Sequence, residues 1–226
     1  MGKQKAIVLL SGGLDSATTL ATALHKGYDV YALSFDYGQK HSRELDSAEK
    51  IAKHYNIKHK IVKIDLSWAK SALTDKKIKI PEKRKKIGKD IPVTYVPARN
   101  MIMLSFALAW AETINADAVF IGANAIDYSG YPDCRLEFYK AFQKAAMLGT
   151  KKGAESKTIQ IKYPLINMSK SKIIKKGMSL GVPYHLTWSC YKGEEKACGK
   201  CDSCILRLKG FREAGYDDPV EYEAEV

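Results

Sequence analysis

The stretch Ala6-Ile7-Val8-Leu9-Leu10-Ser11-Gly12-Gly13-Leu14-Asp15-Ser16 decides the fold of this chain. Its first five residues form a continuous apolar run that stops at a serine and two glycines, which is typical of a strand buried on both faces of a parallel sheet. Residues 15–26 then predict a helix that ends near Gly27. A buried strand that passes through a short polar loop into a helix indicates a parallel α/β unit.

The same alternation of strand and helix patterns continues along the chain. The sequence predicts further strands and helices, with one irregular stretch at 66–92: strands at 28–35, 59–64, 118–122 and 158–161, and helices at 43–55, 98–114, 136–148 and 169–180. This order predicts an α/β fold with an open twisted parallel sheet of about five strands and helices on both faces, as in Rossmann-like proteins. In such sheets, ligands bind outside the carboxyl ends of the strands.

Composition favours a soluble α/β protein rather than a membrane protein. The chain has 226 residues, of which 46% are hydrophobic, enough for a proper core. Its longest apolar run, 101–111, lies between Arg99 and Glu112 and is too short to span a membrane. The first residues lead directly into the first strand and leave no room for a signal peptide, so we expect a cytoplasmic location.

The formal net charge of +12 is distributed unevenly. Eight basic residues and one acid lie between Lys76 and Lys89, and only six of the 37 basic residues of the chain are arginine. Nucleic-acid readout commonly depends on arginine forks. We therefore interpret most of the charge as solvated lysine surface and expect no stable nucleic-acid partner, although an RNA-binding role stays open.

The loop Ser11–Ser16 has the composition of an anion-binding turn. Two glycines free backbone N–H groups to face a phosphate, two serines add hydroxyl donors, and the following helix contributes its positive end. Asp15 suits the start of a helix and could also hold Mg²⁺ on a pyrophosphate. No Gly-Lys-Ser/Thr of a Walker loop is present. The Ser-Gly-Gly-x-Asp-Ser run resembles the PP-loop of ATP pyrophosphatases, which split ATP between the α- and β-phosphates.

That resemblance extends the predicted ATP site along the loop, the first helix and the end of the second strand. The predicted ATP-binding residues are Leu10, Ser11, Gly12, Gly13, Leu14, Asp15, Ser16, Ala17, Thr18, Thr19, Leu20 and Asp36.

Two cations lie where the helix dipole disfavours them. Lys170 follows the predicted N-cap Ser169, and Arg99 begins the long helix after Pro97. A cation at a helix N-terminus is unfavourable by about 0.3–1 kcal/mol. A bound anion would offset this cost, although both could be simple surface residues. We predict Lys170, Arg99 and Asp15 as catalytic residues, with the two cations on ATP phosphates, transition-state charge or a substrate carboxylate.

Four of the five cysteines crowd into the tail as Cys190-x7-Cys198-x2-Cys201-x2-Cys204. In a reducing compartment this spacing favours a structural Cys₄ zinc site over disulfides. An iron–sulfur cluster and a nucleic-acid zinc knuckle are the alternatives. We predict a catalytic domain at 1–185 and a small zinc-binding appendage at 186–226 packed on it. The fifth cysteine, Cys134, is interpreted as a buried bystander or a nucleophile.

Several motifs together carry a family resemblance that runs from about Ile7 to Phe211. They are Asp36-Tyr37-Gly38-Gln39-Lys40-His41, Val96-Pro97-Ala98-Arg99-Asn100, Ser129-Gly130-Tyr131-Pro132-Asp133-Cys134-Arg135, Trp188-Ser189-Cys190-Tyr191, and Cys-Gly-Lys-Cys-Asp-Ser-Cys at 198–204. This set closely resembles the 7-cyano-7-deazaguanine synthases of queuosine and archaeosine biosynthesis. Ala98 stands where that family usually has glycine.

The resemblance implies a reaction, cofactors and an assembly. ATP would adenylate 7-carboxy-7-deazaguanine, ammonia would displace AMP to give the amide, and a second adenylation would give the nitrile. The implied cofactors are ATP, Mg²⁺ and one Zn²⁺ per subunit, and the implied assembly is a homodimer. The predicted substrate residues are Gln39, His41, Arg99, Asp127, Tyr131, Asp133 and Arg135.

Within that set, aspartates would accept hydrogen bonds from the guanidine-like edge of the base. Arg135 would pair with its carboxylate or carbonyl, and a tyrosine would stack on the ring. A plain tight turn capped by Asp133 is the structural alternative.

Two functional alternatives remain at this stage. One is another PP-loop enzyme, such as a tRNA-thiolating ATP pyrophosphatase with Cys134 as sulfur carrier. The other is a non-enzymatic zinc-ribbon RNA-binding protein, which would leave the phosphate loop unexplained.

Overall fold

The computed structural model describes residues 2–82, 90–126 and 130–223. Five parallel strands form one sheet in the order β3-β2-β1-β4-β5. The strands are β1 (Lys5–Leu9), β2 (Asp29–Asp36), β3 (Lys58–Lys63), β4 (Ala118–Phe120) and β5 (Gln160–Lys162). The predicted five-stranded parallel sheet is confirmed.

Seven helices connect and follow these strands in the described part of the chain. They are α1 (Leu14–His25), α2 (Arg43–His54), α3 (Arg99–Thr113), α4 (Leu136–Gly149), α5 (Lys151–Ala154), α6 (Lys170–Ser179) and α7 (Asp202–Ala214). The five helices predicted from sequence, α1 to α4 and α6, have their ends within about two residues of the expected positions. Helix α7, inside the cysteine-rich tail, was not predicted.

Alternate residues of β1 enter two separate cores. Ala6 and Val8 pack on one face of the sheet, in a core that includes α1, α2, α6 and α7. Ile7 and Leu9 point to the opposite face, where α3 and α4 cover the sheet. All four side chains are at most 8% exposed. This confirms helices on both faces and explains why the first strand is a continuous apolar run.

The order of the strands places a crevice beside β1. The chain adds β2 and β3 on one side of β1 and then returns to place β4 and β5 on the other. The connections after β1 and β4 therefore leave the sheet in opposite directions, and a crevice opens at their carboxyl ends. The phosphate loop follows β1 directly, so it lies at this switch point.

The tail is fixed to the α/β unit through α7. Phe211 packs edge-on against Tyr184 at 5.5 Å between ring centroids and belongs to the same core as α1. Arg207, 2% exposed, donates to both carboxylate oxygens of Asp218 at 2.7 and 2.9 Å and to the Thr187 hydroxyl at 2.7 Å. The tail therefore contributes to the main core, and the predicted division at 185/186 stays a prediction.

The stretch predicted to be irregular, 66–92, has neither helix nor strand in its described residues. Part of its basic segment, 83–89, lies outside the described residues, as do Asp127 and two neighbours. Across the ranges that the structure describes, no helix is long and apolar enough to cross a membrane.

Candidate active site

A cavity of about 240 Å³ opens at the switch point. Residues after β1 and after β4 form its two walls, as the topology requires. The loop after β2 and the first turns of α2 and α3 complete it, and residues of the cysteine-rich tail close one side. The site therefore combines segments from the whole length of the chain.

The phosphate loop is held in shape by its two serines. The Ser16 hydroxyl donates to the Gly13 carbonyl at 2.9 Å and lies 3.1 Å from the Ser11 hydroxyl. The Ser11 hydroxyl in turn accepts from the Gly13 amide at 3.3 Å. Gly12 has a φ of +85°, and a side chain there would collide with the Glu44 carbonyl oxygen. The loop is thus preformed, with the N-terminal amides of α1 at the cavity.

Lys170 and Asp15 form an ion pair in the lining of the cavity. The Lys170 ammonium donates to both oxygens of Asp15 at 2.7 and 2.8 Å, and both residues line the cavity. Ser169 caps α6 as expected, accepting from the Lys172 amide at 3.4 Å. The anion that offsets the position of Lys170 against the helix dipole is therefore, in this structure, a carboxylate of the chain itself.

Arg99 is the first residue of α3 and lines the cavity. Its guanidinium donates to the Tyr37 hydroxyl at 3.2 Å and lies 5.6 Å from the centre of the Tyr37 ring. The preceding residue, Ala98, is the N-cap of α3 and has a left-handed φ of 53°. This conformation favours glycine, which explains why the motif that resembles the synthase family usually has glycine there.

Glu44, in the first turn of α2, is a cavity residue that the sequence did not indicate. Burial raises the pKa of its carboxyl to about 7, although the nearby Arg99 lowers it. An acid in a first helical turn ordinarily suggests only a favourable interaction with the dipole. Its place in the cavity depends on how α2 packs beside the phosphate loop, which a local pattern does not reveal.

His41 lines the cavity on the same side. Burial lowers the pKa of its imidazole, and a hydrogen bond with the backbone of Tyr191 opposes that shift. Among the described residues its Nδ1 is buried without a partner. A side chain at Gly193 would collide with the ring, so the tail fixes the position of this histidine. The predicted substrate residue His41 thus lies at the cavity, with its ring fixed by the tail and with a lowered imidazole pKa.

Asp133 lies behind the cavity wall rather than on it. Its Oδ2 accepts from the Asn100 amide at 3.0 Å, and its Oδ1 is buried with no donor among the described residues. Burial raises the pKa of this carboxyl. Asp133 therefore satisfies a free backbone amide in the first turn of α3, a different element from the tight turn that it was expected to cap.

Cys134 is a cavity residue with a weakly acidic thiol. Burial raises the pKa of Cys134 to about 12, and its sulfur accepts from the Asn100 side chain at 3.4 Å. The reactive form of cysteine is the thiolate. A thiol that stays protonated at neutral pH fits the bystander interpretation better than a nucleophile or sulfur carrier.

Eleven of the predicted site residues line the cavity together: Leu10, Ser11, Gly13, Leu14, Asp15, Ser16, Gln39, His41, Arg99, Tyr131 and Lys170. The others lie elsewhere or outside the described residues. Gly12 is a buried residue of the loop that packs against α2. Four predicted residues are buried inside α1, and Asp36 ends β2 half-buried; the four are Ala17, Thr18, Thr19 and Leu20. Arg135 is exposed at the start of α4, and Asp127 is not described.

Several cavity residues were missed by the sequence analysis: Tyr37, Glu44, Asn100, Asn124, Trp188, Ser189, Tyr191, Ser203 and Arg207. Trp188, Ser189 and Tyr191 stand inside one of the motifs quoted for the family resemblance, but were assigned to the tail alone. Asn100 directly follows Arg99 in another. For these four residues the motif was a sufficient signal that they belong to a functional site. What the sequence did not reveal was that the tail packs over the phosphate loop and brings them to the cavity.

The four tail cysteines form a candidate metal centre. Their sulfur atoms all lie within 4.8 Å of one another, and all four residues are buried. The Lys192 and Cys198 amides donate to the Cys190 sulfur, and the Lys200 and Cys201 amides to the Cys198 sulfur, each at 3.4 Å. Four buried sulfurs with backbone donors around them fit a tetrahedral, closed structural site.

The fold and the phosphate loop define the class of this protein: it is a PP-loop α/β nucleotide-binding protein. Two solved structures share the fold alone. An NMN synthetase from Francisella tularensis is 19% identical, with a TM-score of 0.50 over 95% of this chain and 79% of that chain. A 4-thiouridine synthetase in complex with RNA and ATP is 16% identical, with a TM-score of 0.51 over 97% of this chain and 47% of that chain.

The sequence comparisons define the family more narrowly. The family model described as Queuosine biosynthesis protein QueC matches residues 5–215. A 7-cyano-7-deazaguanine synthase from Thermoplasma acidophilum is 60% identical over 99% of this chain and 94% of its own length. One from Acetivibrio thermocellus is 58% identical over 97% of this chain and 98% of its own length. The chain belongs to the QueC family.

Proposed function

We propose that this chain converts 7-carboxy-7-deazaguanine and ammonia to 7-cyano-7-deazaguanine at the expense of two ATP, each released as AMP and pyrophosphate. The observation that carries the proposal is the identity of 58–60% with relatives of that name across almost the whole chain. The cavity at the switch point, with a preformed anion loop on one wall and Arg99 on another, supports it.

The phosphate loop is proposed to bind the triphosphate of ATP. The N-terminal amides of α1 and the Ser11 and Ser16 hydroxyls offer donors to phosphate oxygens. Lys170 is positioned by Asp15 and supplies the positive charge for the α-phosphorus as the carboxylate oxygen attacks it. Such a reaction needs positioning and electrostatic stabilisation more than a strong base, which suits a site built from donors and cations.

The deazaguanine is proposed to lie on the Arg99 side of the cavity. Arg99 presents a planar fork that can bind a carboxylate, while Tyr131, Gln39 and His41 line the same cavity and can contact the base. Asp133, Arg135 and Asp127 stay proposals for recognition of the base. Asp133 and Arg135 do not line the cavity, and Asp127 lies outside the described residues. The amide oxygen occupies the former place of a carboxylate oxygen, so the same groups can serve the second adenylation.

Two metal ions belong to the proposal. Asp15 fits Mg²⁺ as a single carboxylate ligand, because each oxygen that accepts from Lys170 keeps a further lone pair, and Mg²⁺ commonly binds one carboxylate together with substrate phosphates. When bound, Mg²⁺ would neutralise phosphate charge. Zn²⁺ fits the four buried cysteine sulfurs and would stabilise the tail rather than act on the substrate.

The proposed partners are small molecules and a second copy of the chain. Ammonia is the proposed nitrogen donor, no stable nucleic-acid partner is proposed, and the homodimer follows from the family resemblance. Light scattering on the purified protein tests the dimer, and a monomer at micromolar concentration would contradict it.

No described feature favours the thiolation alternative. The high pKa of Cys134, caused by burial, works against a persulfide carrier at that position. The likeness to a thiouridine synthetase extends to the fold alone, at 16% identity.

Mass spectrometry of the products tests the proposed function directly. Incubation with ATP, ammonium and 7-carboxy-7-deazaguanine should yield the amide and then the nitrile, with two AMP and two pyrophosphate for each nitrile. ADP and phosphate as primary products, or unchanged acid in the presence of a folded protein, would overturn the proposal.

A further inference from the structure

The Glu44 carboxyl has no hydrogen-bond or ion-pair partner among the residues that the structure describes. It accepts no hydrogen bond and forms no ion pair with any residue in the ranges 2–82, 90–126 and 130–223. It is also absent from the fully buried polar atoms that lack a partner, so its oxygens reach open space. Glu44 also lines the cavity, so this side chain is accessible to a molecule bound there.

Two neighbours place this carboxyl between the proposed binding regions. On one side, the Glu44 carbonyl oxygen is packed directly against Gly12 of the phosphate loop. On the other, the carboxyl interacts electrostatically with Arg99 and Tyr37, which also line the cavity, and with Cys190 of the tail. The position between ATP phosphates and an Arg99-bound carboxylate is where an acyl-adenylate would form.

The amidation step of the proposed reaction requires a group that binds ammonium and removes a proton from it. Ammonia exists in neutral water mainly as ammonium, which has no lone pair and cannot attack carbon. A carboxylate can bind ammonium by a charge-assisted hydrogen bond and take one proton from it. Several other titratable groups of the cavity are less suited: Asp15 is bound to Lys170, Arg99 and Lys170 are cations, and Cys134 and Tyr37 are buried acids. His41 is the remaining base, but burial lowers the pKa of its imidazole, and a neutral imidazole offers ammonium no negative charge.

We propose that Glu44 is the residue that binds ammonium and removes its proton. This inference rests on the proposed function and names the general base of its amidation step. The ammonium gives one proton to the Glu44 carboxylate, and the lone pair of ammonia forms a bond to the acyl carbon. The bond from that carbon to the AMP oxygen then breaks with its electron pair on AMP. The second proton leaves the new amide nitrogen for water.

The raised pKa of Glu44, caused chiefly by burial, supports this role. A general base is most effective when its pKa lies near the working pH. A carboxylate with an unshifted pKa would return the proton to water more readily but would accept it from ammonium far less well.

Asp46 provides a matched control for the position of Glu44. Both residues lie in the first turn of α2, where an acid favours the helix dipole. Asp46 is exposed and does not line the cavity. Replacing either carboxylate by its amide removes one charge at the same helix end, so only an effect specific to Glu44→Gln reports on the cavity.

The experiment measures two half-reactions for wild type, Glu44→Gln and Asp46→Asn. The first is pyrophosphate release with ATP and 7-carboxy-7-deazaguanine in the absence of ammonia, which reports adenylation. The second is amide formation against ammonium concentration, and then with hydroxylamine, a nucleophile that is already neutral. We expect Glu44→Gln to keep pyrophosphate release, to lose about 10²-fold in kcat/KM for ammonium, and to form the hydroxamate at a rate near wild type. Asp46→Asn should behave as wild type.

The outcomes distinguish a failure of the role of Glu44 from a failure of the proposed function. An unchanged kcat/KM for ammonium in Glu44→Gln, or an equal loss with hydroxylamine, overturns the role of Glu44. Loss of pyrophosphate release in Glu44→Gln alone would show that this residue is needed for adenylation or for folding. That result would also overturn its role as the base for ammonium. Absence of pyrophosphate release in wild type would overturn the proposed function instead.

Discussion

The phosphate loop and the cysteine cluster are both compact sites, but they are held by different forces. The loop at Ser11–Ser16 is shaped by backbone geometry and serine hydroxyls, and its charged groups already form an ion pair. The cysteine cluster consists of four buried sulfurs that lie within 4.8 Å of one another, with backbone amides donating to two of them. We infer that a substitution in the first region mainly affects catalysis, whereas one in the second mainly affects stability.

The largest expected effect lies in the cysteine cluster. Cys201→Ser should lower the free energy of unfolding by several kcal/mol and abolish zinc binding, because thiolate–metal bonds contribute directly to folding. Elemental analysis and thermal unfolding measure both quantities. Cys134→Ser is the control, since Cys134 lies outside the cluster and should keep the metal. Iron with acid-labile sulfide, or a Cys201→Ser protein with unchanged metal content, would contradict the zinc assignment.

A smaller but still large effect is expected for the Asp15–Lys170 pair. Lys170→Ala should reduce kcat/KM for ATP by about 10²–10³-fold, since it removes charge stabilisation from the transition state. It should also destabilise the fold by up to about 3 kcal/mol, because it leaves a largely buried carboxylate unpaired. Lys172→Ala, an exposed lysine in the same helical turn, should change neither. Full activity of Lys170→Ala measured by pyrophosphate release would remove Lys170 from the mechanism.

The two arginines predicted for the substrate give an intermediate test. Arg99→Lys keeps the charge but loses the planar fork, and should raise KM for 7-carboxy-7-deazaguanine by about tenfold or more. Arg135→Lys at the exposed start of α4 is the comparison. Steady-state kinetics separate the two variants. A large effect at Arg135 with none at Arg99 would place the substrate carboxylate outside the cavity described here.

The smallest effect concerns Ala98. Ala98→Gly should stabilise the protein by about 1 kcal/mol, because it relieves a left-handed conformation that costs an alanine roughly 1–2 kcal/mol. Asn115→Gly is the matched control: Asn115 has a similar φ of 57°, but asparagine tolerates that region, so its gain should be smaller. Urea unfolding measures both. Equal gains at the two positions would show that the strain at Ala98 is not specific to its side chain.

Most of the fold followed from local patterns because the helices and strands here match their sequence periodicity. The strand runs, the loop at Ser11–Ser16 and the cap at Ser169 all depend on residues close together in sequence. Helix α7 was missed because its first residues overlap the metal motif, so the segment was interpreted only as a metal-binding tail and no helix was assigned to it. Phe211 and Ala214 nevertheless belong to the main core.

The candidate site was only partly predictable, because local patterns do not reveal contacts between residues that are distant in sequence. Lys170 and Arg99 could be identified because their positions conflict with the helix dipole. Asp15 as the partner of Lys170 requires contact across 155 positions of sequence, and Glu44 requires α2 to pack beside Gly12. The left-handed φ of Ala98 was equally inaccessible, since no local pattern predicts a strained alanine.

One hydrogen bond joins the two regions compared above. The Trp188 amide donates to the Gly12 carbonyl at 2.9 Å, so the chain that enters the cysteine cluster is bonded to the underside of the phosphate loop. By thermodynamic linkage, nucleotide binding at the loop and metal binding in the tail should each favour the other by the same free energy. Hydrogen exchange at Trp188 should therefore slow when ATP binds, and nucleotide affinity should fall when a chelator removes the metal.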